Sequence, residues 1–222
     1  MDIILKLKEE LNVEKWQVEA AVKLIDEGNT IPFISRYRKE ATGSLNDEVL
    51  RDLDERLTYL RNLEEKKEQV LKSIEEQGKL TDELRERIVA AETMVVVEDL
   101  YRPYRPKRKT RASVAKEKGL DGLAQFILAQ ETTEPIETEA QKYVHEDEDE
   151  SKAVKTATEA VQGAKDIIAE TISDEADYRI YIRNITTEEG KLISTAKDEK
   201  AESVYEMSYD YEEPVKNVAG HR

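Results

Sequence analysis

Residues 47–77 read DEVLRDLDERLTYLRNLEEKKEQVLKSIEEQ, and this stretch decides the fold class. Val49, Leu50, Leu53, Leu57, Leu60, Leu63, Val70, Leu71 and Ile74 recur mostly at steps of three, four and seven, which places them on one stripe of an α-helix. No glycine or proline interrupts the run, and Gly78 supplies a stop. At ~1.5 Å per residue such a helix is roughly 45 Å long, a strut against which shorter elements can pack.

The flanks extend the helical pattern. Upstream, Asn12 is expected to cap a helix from Val13 to about Glu27, with Val18, Ala21, Val22 and Ile25 as its stripe. Thr30 is expected to cap a second helix reaching about Glu40, with Pro32 tolerated in its first turn and Gly43 closing it. Two helices joined by a short turn make a helix-turn-helix-like arrangement. Downstream, Thr81 caps a helix carrying Leu84, Ile88 and Val89, and the β-branched run Val95–Val97 is read as helix from its surroundings. Residues 101–112 are read as an extended loop, because Pro103 and Pro106 bias their predecessors away from helix. A short helix then runs to Lys118, followed by another over 120–129.

Residues 131–150 hold nine acids and one lysine and are read as a solvated spacer, with a short helix near 139–144. From Lys152 to about Thr171 the pattern Val154, Ala157, Val161, Ala164, Ile168 and Ile172 is helical. Ser173 or Asp174 is expected to cap the next helix, built on Tyr178, Tyr181, Ile182 and Ile185. A further short helix from Thr187 would use Leu192, Ile193 and Ala196. Tyr205, Met207, Tyr209 and Tyr211 alternate with polar residues, the best strand signal in the chain. The expectation is an all-α, multihelical fold in two lobes: 1–130 with the helix-turn-helix-like part, the strut and a basic loop at 101–111; 131–150 as an acidic linker; and 151–222 as a second helical lobe with an extended tail.

Composition agrees. Charged and hydrophobic residues each make up 38% of the 222 residues, and only eight glycines and five prolines are present. No cysteine means no disulfide and no thiolate metal site. The N-terminus mixes charge with apolar residues and lacks the apolar core of a signal peptide. The longest aliphatic run, Met94–Val97, is far too short to span a bilayer. A cytoplasmic protein without membrane contact is expected.

The net charge of −15 disfavours indiscriminate binding to a polyanion, but the charge is uneven. Residues 101–118 carry eight Lys/Arg and one acid, a local +7, leaving −22 elsewhere. Within it, 101–111 reads YRPYRPKRKTR: Arg102, Arg105, Lys107, Arg108, Lys109 and Arg111 with two interleaved tyrosines. Cations neutralise phosphates and tyrosine rings stack on unpaired bases. The competing reading is an ordered loop pinned by its arginines to acidic helices of the same protein. In the second helix, Arg36 and Lys39 lie opposite the apolar positions Ile31, Ile34 and Tyr37 and could reach phosphates. Arg38 falls inside the apolar arc, so it must pair with an acid or a carbonyl or else snorkel out; the expectation is that it is more buried than Arg36 or Lys39 and paired.

A catalytic reading finds little support. The two histidines, His145 and His221, have no neighbouring nucleophile pattern and no metal-ligand partner at helical spacing. The acids 146–150 lack the glycine and spacing of a calcium loop. There is no glycine-rich phosphate cradle. No enzyme activity and no cofactor are expected.

Five stretches resemble the N-terminal region of the Tex family of bacterial transcription accessory proteins: TIPFISRYRKEATG at 30–43, EDLYRPYRPKRKTR at 98–111, AKEKGL at 115–120, QGAKDIIAE at 162–170 and YDYEEP at 209–214. They occur in the expected order and span nearly the whole chain. The resemblance implies a transcription-associated protein that binds RNA or DNA and can engage the transcription machinery. It also implies that a full-length member continues into an RNase-H-like domain, helix-hairpin-helix modules and an OB-fold RNA-binding domain, so this chain is expected to be an N-terminal fragment. The alternative is a scaffold that docks later domains or a transcription partner without touching nucleic acid.

Overall fold

In a computed structural model, described for all residues except 107, 132, 199–201 and 221–222, the 47–77 stretch forms the helix expected of it. α4, Asp47–Glu76, has 30 residues, and the Asn46 side chain accepts a hydrogen bond from the Val49 N–H at 2.8 Å. Leu50, Leu53, Leu57, Leu60, Leu63, Val70 and Ile74 are buried along one face. Each fully buried leucine is worth roughly 2 kcal/mol in area terms, so this face outweighs the weak intrinsic preference of any short helix.

The described residues divide into two compact units, Met1–Tyr101 and Arg102–Arg222. In the first, α4 is the common support. α1 (Ile3–Leu11), α2 (Lys15–Asp26), α3 (Ile31–Tyr37), α5 (Asp82–Ala90) and α6 (Met94–Tyr101) all pack on it. Bidentate ion pairs tie α1 and α2 to α4: Arg56 with Glu10 at 2.6 and 2.8 Å, and Arg61 with Asp26 at 2.7 and 2.8 Å. Lys67, buried on the apolar face of α4, donates to Glu64 Oε1 at 2.8 Å and to the Val89 carbonyl at 2.9 Å, so its charge has partners.

In the second unit α10 (Ala157–Asp174) is the centre. α7 (Arg111–Glu117), α8 (Asp121–Ala129), α9 (Ile136–Ala140) and α11 (Ala176–Glu189) pack around it. The core joins Ala112, Ala115, Leu120 and Leu123 to Ala140, Val154, Ala160, Ala164 and Ile167. A two-stranded antiparallel sheet, β1 (Lys191–Thr195) with β2 (Asp210–Pro214), follows. The mainly helical class therefore stands, and the only sheet among the described residues has two strands.

Several expectations are corrected. The boundary between units lies at 101/102, because Ala112 through Ala124 share a core with α10. The acidic segment is not a mere linker: it contains α9, its Ala140 is fully buried, and His145 pairs backbone-to-backbone with Val154. Asn12 ends α1 rather than starting α2. It sits in the left-handed region (φ 51°), which asparagine tolerates, while the Glu14 N–H donates to Gln17 Oε1 at 3.0 Å. α11 is capped by Glu175, not Ser173 or Asp174. Residues 191–195 are strand, not helix. Gly190 is extended (ψ 155°) and lies so close to the Thr186 carbonyl that a Cβ would stand 2.2 Å from it, so the chain leaves the helix there. The alternating tail is strand only from Asp210; Glu206–Ser208 is a 3-10 turn.

Candidate nucleic-acid interface

The basic segment starts where α6 ends. Proline in a first helical turn needs no N–H partner, and Arg102–Tyr104 form a 3-10 turn around Pro103. The expected extended loop is thus replaced at its start by this turn. Its far end is fixed by reciprocal capping: the Ser113 N–H donates to Thr110 Oγ1 at 3.0 Å, and the Thr110 N–H donates to Ser113 Oγ at 2.8 Å.

Between these anchors the chain borders a groove of about 570 Å³, with Arg102, Arg105, Arg108 and Arg111 among its lining residues. Asp166, Glu170 and Asp174 of α10 line it as well. These acids recur every fourth residue, so they stand in a row with ~6 Å of axial rise between neighbours. Arg102 Nε donates to Asp174 Oδ1 at 2.9 Å, and the Asp174 side chain is only 12% exposed. Arg111 approaches Asp166 at 3.9 Å but is 87% exposed, a loose pair. Lys109 reaches Glu117 of α7 at 3.4 Å. Arg105 is also held in polar or electrostatic contact, as is Glu170. Arg108 is exposed on the groove with no ion pair among the described residues. Lys107, the remaining cation of the set, lies outside the described residues.

Beside the groove, Lys118 donates to Glu159 Oε1 at 2.6 Å, and this bond, helped by the Lys155 N–H, holds the Glu159 carboxyl below the usual carboxylate range. Lys118 and Glu159 thus fasten α7 to the first turn of α10.

On the first unit the other candidates behave differently. Arg36 is exposed in the last turn of α3, and Lys39 is exposed in the turns that follow; neither makes an ion pair among the described residues. Arg38, expected to be more buried than Arg36 or Lys39 and paired with an acid or a carbonyl, is exposed like them and makes no ion pair among the described residues. α3 ends at Tyr37, so the helical angle that placed Arg38 in the apolar arc no longer applies one residue later. Its guanidinium instead lies 5.3 Å from the centroid of the Phe33 ring.

The sequence reading missed Asp166, Glu170 and Asp174 as the partners of the basic segment. Their fourfold spacing is visible in the sequence; that they face 102–111 is not.

The chain matches the family model described as Tex-like protein N-terminal domain over residues 1–75, and that described as Tex central region-like over residues 130–222. It is 44% identical over 220 residues to the uncharacterized protein YdcI of Bacillus subtilis, covering 98% of this chain and 30% of that protein. It is 44% identical over 224 residues to the transcriptional accessory protein Tex of Neisseria gonorrhoeae, covering all of this chain and 29% of that protein. Against the human S1 RNA-binding domain-containing protein 1 it is 30% identical over 185 residues, 83% of this chain and 18% of that protein. The chain spans about 30% of the length of its bacterial relatives. No helix among the described residues is long and apolar enough to cross a membrane. With two Tex regions matched in order and bacterial relatives aligned along its whole length, the chain belongs to the Tex family.

Proposed function

We propose that this chain is a non-enzymatic, cytoplasmic helical module of a transcription-associated protein, and that it meets RNA or DNA through its unpaired cations. The observation that carries the reading is the division among the basic residues. Arg102, Lys109 and Arg111 have carboxylate partners, whereas Arg36, Lys39 and Arg108 are exposed without any among the described residues. A cation already paired gives little on meeting a phosphate, because one ion pair is exchanged for another. An unpaired one releases a counterion from the nucleic acid. Relatives named as a transcriptional accessory protein and as an S1 RNA-binding domain-containing protein favour nucleic acid as the partner class.

The scaffold reading keeps one specific support. The Arg102–Asp174 pair makes the basic segment a clamp on α10, which is what a purely structural loop would do.

The test is the salt dependence of nucleic-acid binding by this chain and its Arg36→Ala/Lys39→Ala variant. Each phosphate contact contributes about 0.7–0.9 to the slope of log K against log salt, so removing two should reduce the slope by roughly 1.5. With a net charge of −15 opposing association, binding is expected to be weak and to fade at physiological salt. An unchanged slope in the variant would favour the scaffold.

A further inference from the structure

The end of α3 carries more than charge. Phe33 and Tyr37 lie one helical turn apart, with ring centroids 5.3 Å apart and planes inclined at 44°. Tyr37 is 66% exposed and Phe33 36% exposed, so neither is core. Arg38 stands over the other ring, at 5.3 Å from the Phe33 centroid. Arg36, Arg38 and Lys39, all exposed, thus flank in sequence a tyrosine ring that solvent can reach. Between Gly28 and Asn46 these three cations meet one acid, Glu40, in a chain whose net charge is −15.

The turn after α3 is built rigidly. The Thr42 N–H and the Ser44 N–H donate to the Arg38 and Lys39 carbonyls at 3.2 and 2.7 Å. The Thr42 side chain, fully buried, bonds back to the same two carbonyls at 3.3 and 3.4 Å. Gln17 of α2 donates to the Thr42 and Gly43 carbonyls, both at 3.2 Å. Trp16, the sole tryptophan, lies on Gly43 so closely that a Cβ there would stand 2.4 Å from Trp16 Cη2. Gly43 also has φ +61°, so two constraints fix a glycine at this position.

We propose that this surface is a stacking site for single-stranded nucleic acid, with Tyr37 and the Phe33 edge receiving an unpaired base and Arg36, Arg38 and Lys39 meeting the flanking phosphates. The inference rests on the functional reading above and adds to it the form of nucleic acid preferred. A solvent-facing ring is useful to a base only when that base is not already stacked in a duplex. Cations without carboxylate partners supply the attraction the acidic chain otherwise lacks. An acidic protein segment would satisfy the cations but would gain little from the ring faces.

The experiment uses the whole chain. Binding of short fluorescent oligo(U) and oligo(dT), of the same length of duplex, and of polyglutamate is measured at low salt, for the parent, Tyr37→Ala, Tyr37→Phe and Arg36→Ala/Lys39→Ala. The expected result is single strands bound more tightly than duplex, and a Tyr37→Ala loss of about tenfold, the size of one base–aromatic stack. Tyr37→Phe should retain binding, and polyglutamate should be indifferent to Tyr37. Trp16 emission should change on oligonucleotide binding in the parent and less in Tyr37→Ala. Circular dichroism of Tyr37→Ala should match the parent, since the ring is exposed. If Tyr37→Ala binds single strands within twofold of the parent while Arg36→Ala/Lys39→Ala weakens them, stacking is refuted and the electrostatic reading survives. If Tyr37→Ala weakens polyglutamate as much as oligonucleotide, the site takes an acidic peptide and the proposal fails. If neither variant changes any binding, the functional reading itself is overturned.

Discussion

Arg102 Nε donates to Asp174 Oδ1 at 2.9 Å, joining the first turn after α6 to the last residue of α10. Seventy-two positions separate the two residues, so the contact closes the loop end of the second unit onto its central helix. Arg102 is half-exposed and Asp174 is buried, so removing the arginine leaves a carboxylate poorly solvated. Arg102→Ala should lower the unfolding free energy by about 1–3 kcal/mol, less than for a fully buried pair because water screens the guanidinium. A double-mutant cycle with Asp174→Ala, read by urea unfolding, should give a coupling above about 0.5 kcal/mol. Additive losses would show that the pair does not hold the segment.

Gly163 tests how tightly α10 sits on its neighbours. An added Cβ would stand 2.4 Å from Leu120 Cδ1 and 3.2 Å from Ala115 Cβ. Alanine in a helix gains up to ~1 kcal/mol over glycine. Against this, Leu120 is 1% exposed, so its Cδ1 must shift within the core to admit the methyl, and overpacking costs about 1–3 kcal/mol. Gly163→Ala should therefore destabilise on balance by about 1 kcal/mol, measured as a lowered urea midpoint. A raised midpoint would mean that the core around Leu120 yields easily.

Acid should loosen both units through their carboxylates. The hydrogen bond from Arg56 lowers the Glu10 carboxyl, that from Arg61 lowers Asp26, and that from Lys118 lowers Glu159. Burial pushes Glu64 up, but the Lys67 hydrogen bond and the N-terminal ammonium bring it below its ordinary value. Groups whose folded-state pKa is depressed add stability above their ordinary values of 4.5 for Glu and 3.8 for Asp, and that stability is lost as pH falls through the folded values. The urea midpoint should be flat from about pH 7 to 5 and fall steadily below that, with Glu10→Gln showing a shallower fall. A midpoint that rises on acidification would contradict this sign.

Most of the fold was legible because long helices repeat their signal. α4 announced itself through seven buried apolar positions, and Thr81 and Asn46 cap where short polar residues belong. The strand β1 was not legible: Leu192 and Ile193 fit the end of a helical stripe as well as a strand, and only its pairing with Glu213 and Glu212 distinguishes them. The unit boundary was missed because charge was taken as a proxy for exposure, while Ala140 and Val154 bury themselves beside the acidic run. At the candidate site, the residue types were readable and their partners were not. Nothing local in YRPYRPKRKTR says that Asp174 will meet Arg102, and nothing local in RYRK says that Arg38 will fall past the helix end onto Phe33.

The central claim is that paired cations hold the second unit together while unpaired cations meet phosphate. Its most direct test is a two-way comparison of urea unfolding and single-strand binding for Arg102→Ala/Arg111→Ala and for Arg36→Ala/Lys39→Ala. The first variant should unfold at lower urea and keep most of the parent's salt slope below its transition. The second should unfold like the parent and lose roughly 1.5 of that slope. The reverse pattern, with the first variant stable but flat in salt and the second destabilised but unchanged in slope, would overturn this division and move the interface to the paired cations Arg102 and Arg111.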